Sequence, residues 1–202
     1  MTFRRKIEIS VSLALVISVL FSIFSFAKTA EKIRGEVLRL HIIANSDSDA
    51  DQELKLKVRD TVLAEGAEIF DGSVNIENAV EKITPEIPRL TETARRVITE
   101  NGFDYGVKIT LCRDWFITRT YETVTLPAGE YLALKIVIGK GEGHNWWCVM
   151  FPAMCLPAAA EKREIETVLN RKEVRLVEKK PRYEPRFKIV ELYEDLKNKF
   201  NG

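Results

Sequence analysis

The sequence predicts an α+β domain of two layers, an antiparallel or mixed sheet packed against helices, behind an N-terminal signal or anchor helix. Three observations predict it. Apolar residues recur with period two over 37–44, 105–111 and 132–138, the pattern of half-buried strands. They recur at helical spacing over 54–62 and 76–98, which suits helices with one buried stripe. A run near the start is apolar on every side. The chain has 202 residues, 46% of them hydrophobic, enough for one core and too few for several. The expected order is β-α-α(kinked)-β-β-β-α after the N-terminal helix.

The N-terminal element comes first. Arg4, Arg5 and Lys6 precede residues 9–27, which are 19 residues without a charge. Basic residues ahead of an apolar run mark a secretory signal or an N-in membrane anchor. Ser25-Phe26-Ala27 places small residues at the −3 and −1 positions of a cut after Ala27. The run is also long enough to span a bilayer, so removal and retention both stay open. The division expected is 1–27 signal peptide or anchor, 28–36 charged linker, 37–170 α+β signalling domain, and 171–202 charged linker with a short amphipathic C-terminal helix.

In the strand at 37–44, Leu38, Leu40, Ile42 and Ala44 share the core face, and Val37, Arg39, His41 and Ile43 share a mixed one. Asn45-Ser46-Asp47-Ser48-Asp49 stops the strand. Ser48 followed by Asp51 resembles a capping box for a helix reaching about residue 67. A second helical stretch starts near Asn75 with Ile76, Val80, Ile83, Ile87, Leu90, Ala94, Val97 and Ile98 on one face. Pro85 and Pro88 interrupt it, so two helices or one sharply kinked are expected. Tyr105, Val107, Ile109 and Leu111 line a strand, 116–126 suits another, and Leu132, Leu134, Ile136 and Ile138 line a third after a turn at 126–130. Residues 145–157 are dense in aromatics, Cys and Pro. A helix over 158–169, an extended charged stretch over 171–186 and a final helix over 189–200 complete the reading.

Composition removes several function classes. With 31 Lys and Arg against 30 Asp and Glu, nothing supports a nucleic-acid partner. There is no Cys-x-x-Cys pair and there are two histidines, so neither a metal nor a cofactor is expected. Gly139, Gly141 and Gly143 form G-x-G-x-G, but the loop runs into Trp146-Trp147-Cys148 and not into a helix, so it fails as a phosphate loop. Asp47, Asp49 and Asp51 fail as a calcium loop, because Gln52 and Val58 stand where Gly and Glu are needed.

The cysteines allow two readings. Outside the cytoplasm Cys148 and Cys155 can form a disulfide across a short loop, leaving Cys112 over; alternatively all three are buried and reduced. Cys148 with His41 or His144 could also make a nucleophile site, since such groups meet in space and not in sequence. Trp146, Trp147, Met150, Phe151 and Met154 are either core or an exposed patch for a partner. His41, Asn45 and Asp47 at the strand end either shape the turn or form a polar surface beside those aromatics.

Three motifs carry a resemblance. Leu38-Arg39-Leu40-His41-Ile42-Ile43-Ala44-Asn45-Ser46-Asp47-Ser48, running on to Asp60, resembles the stage II sporulation protein R family. Leu126-Pro127-Ala128-Gly129-Glu130-Tyr131 is similar to it as well, as is Gly141-Glu142-Gly143-His144-Asn145-Trp146-Trp147-Cys148-Val149-Met150-Phe151-Pro152 with Cys155. Cys112 is not part of the family pattern, and His144 stands at a variable position. The resemblance implies a signal and not a catalyst. It implies export into the space between forespore and mother-cell membranes, and activation there of a membrane-bound aspartic protease that cleaves a pro-sigma factor. The contact surface expected for that protease is His41, Asn45, Asp47, Trp146, Trp147 and Phe151. The alternative is an extracytoplasmic enzyme using Cys148 with His41 or His144.

Overall fold

The computed structural model describes residues 3–121 and 124–152, together with Leu169, Glu173 and Val177. Helix α1 (Phe3–Gly35) leads directly into strand β1 (Leu38–Ile43), and helices α2 (Asp49–Ile69) and α3 (Ile76–Glu100) follow. Strands β2 (Val107–Phe116), β3 (Arg119–Tyr121), β4 (Val124–Leu126), β5 (Gly129–Ile138) and β6 (Asn145–Phe151) complete the described elements. The main sheet has the order β2-β5-β1-β6. It is mixed: β1 runs parallel to β5, while β6 against β1 and β2 against β5 are antiparallel. A second, two-stranded sheet pairs β3 with β4 antiparallel.

The period-two faces fall where the sequence puts them. Leu38, Leu40, Ile42, Ile109, Leu134, Ile136 and Ile138 form one cluster with Leu54, Val58 and Val62 of α2 and Ile83, Leu90, Ala94 and Ile98 of α3. Ser48 caps α2, its hydroxyl accepting from the Asp51 N–H at 3.2 Å. Asn75 caps α3 in the same way from Asn78 at 2.8 Å.

Pro85 and Pro88 lie inside one helix, one of the two arrangements expected, and do not divide it in two. Both are exposed, so the carbonyls they leave unpaired face water, and the apolar stripe stays intact. The linker expected over 28–36 continues α1 to Gly35, with Ala30 and Ile33 buried. The strand expected over 116–126 is divided between the end of β2 and the β3–β4 pair, where Thr120 and Thr125 meet through their hydroxyls at 3.1 Å. Residues 145–151 form a strand that period-two reading misses, because β6 is apolar on both faces and a register shift near Leu38 and Arg39 puts Cys148, Met150 and Phe151 into one core cluster.

The mixed face of β1 is covered as well. Phe26, Ala30 and Ile33 of α1 pack in a second cluster with Val37, Phe116, Val124, Leu126, Tyr131, Ala133, Val149, Leu169 and Val177. Glu173 and Val177 are helical, which departs from the extended stretch expected over 171–186. The helices expected over 158–169 and 189–200 otherwise lie outside the described residues, as do Met154 and Cys155.

Candidate functional site

The strand-end loop and the glycine loop interlock. Gly143 N–H donates to Ala44 O at 3.0 Å, and Glu142 N–H to Asn45 O at 3.2 Å. Asn45 Oδ1 accepts from the Lys140 N–H at 3.0 Å, and its amide donates to Asp51 Oδ2 at 2.9 Å. Ser46 Oγ donates to the same carboxylate oxygen at 2.5 Å. Burial pushes the Asp51 carboxyl up, but hydrogen bonds from Ser46, Asn45, Tyr105 and Ser48 outweigh it and hold the group below the usual carboxylate range. Lys55, buried under this loop, donates to Gln52 Oε1 at 2.6 Å and to His144 O at 2.9 Å. Burial pulls its amine below the usual lysine range.

Close approach explains the glycines. A side chain on Gly143 would place Cβ 2.2 Å from Ser46 O, and Gly139 has φ +58° with Asn45 Oδ1 2.2 Å from where its Cβ would be. G-x-G-x-G therefore seats one loop on another. Asp47 is exposed and accepts from the His144 N–H at 2.5 Å and meets Nδ1 of the same residue. The three acids Asp47, Asp49 and Asp51 do not converge: Asp51 turns inward, and Asp47 turns to His144.

His41 is the hub of the opposite face. Its Nδ1 meets Asp114 Oδ2 at 2.6 Å, and its Nε2 meets the Asn145 side-chain amide at 2.8 Å. Phe116 packs edge-on against the ring and Trp147 tilts over it, at 5.9 Å and 5.8 Å between centroids. Lys135 Nζ reaches Asp114 Oδ2 at 3.0 Å. Burial raises the Asp114 carboxyl, and the hydrogen bonds and charges of His41 and Lys135 more than reverse it, holding it below the usual range. His41 is 6% exposed and both ring nitrogens are engaged, so it ties β1 to β2 and β6 and offers no surface to a partner.

Arg39, one pair along β1 on the same face, is wholly buried. Nε donates to Cys148 O at 3.0 Å and Nη2 to Tyr121 Oη at 2.7 Å. The guanidinium lies over Phe116 at 4.3 Å and Tyr131 at 4.9 Å. No carboxylate among the described residues pairs with it, so carbonyl, hydroxyl and ring faces carry its charge.

The aromatics expected to form one patch separate. Successive strand residues point to opposite faces. Trp147 lies on the His41 face with Arg119 4.7 Å above its ring. Trp146 points the other way, 36% exposed, with Arg59 of α2 stacked 4.5 Å above it. Phe151 corrects the expected contact surface: it is core, packed on Phe70 at 5.9 Å. Of the six residues expected there, Asp47 and Trp146 are exposed, and Asn45 and Trp147 are half-buried.

The same alternation separates the proposed nucleophile from its base. Cys148 pairs with Leu40 and joins the α2–α3 cluster, while His41 pairs with Trp147 on the other face. His144 is spent on Asp47. Sequence reading missed Arg39, Asp114, Lys135 and Tyr121 as a polar cluster, and Arg59 as the partner of Trp146. Arg39 and His41 alternating in β1 are the one signal that a polar cluster exists, since two polar residues on one strand face need partners.

The family model described as stage II sporulation protein R matches residues 34–161. That span begins in the last turn of α1 and includes all six described strands. The chain is also similar to the stage II sporulation protein R of Bacillus subtilis (strain 168), 37% identical over 123 residues, which are 61% of this chain and 55% of the relative. The alignment thus spans little more than half the length of that relative. No solved structure matches.

Proposed function

We propose a function from one premise: the chain belongs to the stage II sporulation protein R family. On that premise it is an exported sporulation signal. It acts between the forespore and mother-cell membranes, where it activates a membrane-bound aspartic protease that cleaves the mother-cell pro-sigma factor. The observation that carries export is α1, whose solvent-facing half holds Leu13, Leu15, Ile17, Leu20, Phe21 and Phe24, all exposed, ahead of a folded domain of this family. The protein works as a ligand and not as a catalyst. The opposite-face placement of His41 and Cys148 supports that side of the reading.

Trp146 is the proposed contact with the protease, with the Arg59 guanidinium stacked on its ring. An exposed tryptophan with polar neighbours has the anatomy of an interface anchor. A disulfide between Cys148 and Cys155 is proposed beside it. It is supported by the free state of Cys112 and by Cys148 being a bonded cysteine. Reconstitution tests the function. The full chain, and separately residues 28–202, are added to membranes carrying the protease and its pro-sigma substrate. Cleavage of the substrate is expected with each. Folded protein that leaves the substrate intact, with the protease shown competent, rejects the reading.

A further inference from the structure

The exposed and docked halves of α1 meet between Phe24 and Phe26. Upstream, Phe21 and Phe24 are exposed. Downstream, Phe26, Ala30 and Ile33 fall at spacings of four and three on one helical stripe and are buried against the second face of the sheet. Polar contacts brace the same segment. Lys32 Nζ donates to buried Glu173 at 2.6 Å, and Arg34 Nη1 donates to Ala128 O at 3.2 Å. Thr29 Oγ1 donates to Ser25 O at 2.9 Å. The helix ends at Gly35 and β1 begins at Leu38, so two residues separate them.

The bond that a secretory cut would break, Ala27–Lys28, therefore lies within an unbroken helix, next to Phe26 at 5% exposure. A protease takes its substrate as an extended segment, so water can be added across this peptide bond only after the helix unwinds locally. Cleavage of such a bond follows the population of the opened state. Opening here means pulling Phe26 and its neighbours off the sheet.

We propose that docking of α1 on the sheet shields the Ala27–Lys28 bond, making folding of the domain and removal of the apolar segment alternative fates. A chain that folds first keeps its anchor. Because no slack separates helix from sheet, the domain then sits directly at the membrane surface. This rests on the reading of residues 9–27 as an export segment, and not on protease activation.

The full chain in lipid vesicles is incubated with purified bacterial signal peptidase. Beside it runs a variant with about eight Gly and Ser residues inserted between Ala27 and Lys28, a flexible spacer that frees the bond while residues 28–35 stay docked. Thermal melts establish that both are folded. The unmodified chain is expected to stay intact, and the spacer variant to be cut after Ala27 at least ~10-fold faster. Equal rates with both chains folded overturn the proposal. So does the absence of any cut in either, which shows that Ser25-Phe26-Ala27 is no substrate. Amide exchange on the unmodified chain is the independent measurement. Amides of 26–35 should be protected as well as those of β1 and β5; fast exchange there overturns the shield even if the spacer variant fails to fold. Pro-sigma processing is read in neither arm, so failure of the activation reading leaves this outcome unaffected.

Discussion

On one face of the main sheet, Leu38, Leu40, Ile42, Leu134 and Ile136 lie under α2 and α3, in a cluster built of apolar side chains. On the other, Arg39, His41, Asp114 and Tyr131 lie among the end of α1 and the β3–β4 pair. The first face is assembled by helices that follow β1 directly in the chain. The second gathers segments from residues 26 to 177. The apolar face needs only the right shape and volume. The polar face depends on which donors and acceptors meet, with Arg39 Nη1 and Trp147 Nε1 buried without a hydrogen-bond partner among the described residues, and is correspondingly sensitive to single changes.

Arg39→Ala probes that contrast most severely. It removes a buried cation and leaves Tyr121 Oη, Cys148 O and the Phe116 and Tyr131 ring faces around a hole. Unfolding free energy should fall by about 3–5 kcal/mol, read by chemical denaturation. Leu40→Ala, the next residue on the apolar face, should cost about 2–5 kcal/mol. Arg39→Met separates volume from charge. It fills the space without a charge to bury and should recover most of the loss, since buried ions are often replaced by apolar residues at little cost. If Arg39→Met is as damaging as Arg39→Ala, matched polar contacts dominate the second face.

Acid should weaken both regions, by routes that can be told apart. Asp51 and Asp114 have folded-state pKa values below their unfolded ones. Their contributions are therefore complete above the unfolded carboxylate pKa and lost as pH falls through the folded one. Asp51→Asn should cost about 1–3 kcal/mol near neutral pH and flatten the acid limb of stability. Asp114→Asn should act less, because its side chain keeps 19% of its exposure. Urea midpoints taken near neutral pH and again below the carboxylate range check both. An acid limb unchanged by Asp51→Asn would show that the loop contacts around it do not govern acid stability.

Trp146→Ala is the mildest for stability and the sharpest for function. With Arg59 stacked on a half-open ring, the change should cost about 0.5–1 kcal/mol and shift the melting temperature by a few degrees. Protease activation should drop far more than the folded fraction does. A large loss of melting temperature, with activation falling only in proportion, places Trp146 in the core.

The apolar face was readable residue by residue. Strand period and helix period converge on the same buried stripes, and the caps Ser48 and Asn75 stand where local chemistry demands them. The candidate site was readable only in part. Trp146 and Asp47 were identified and are exposed, but Trp147 is half-buried on the other face and Phe151 is core. Composition shows that an aromatic block exists; strand alternation and the β6 register shift decide which member faces water.

What the sequence by itself determined is therefore local: the export-type segment, the helix stripes, the caps and three strand faces, each set by neighbours within a few residues. Only the tertiary structure decided that residues 28–35 are helix with Ala30 and Ile33 docked on the sheet and not linker, that β6 is a strand, and that the mixed face of β1 closes over Arg39 and His41. Those outcomes depend on pairings between residues about a hundred apart, such as His41 with Asn145 and Arg39 with Cys148. A buried polar group reveals its partner only when the fold brings the two within hydrogen-bond reach.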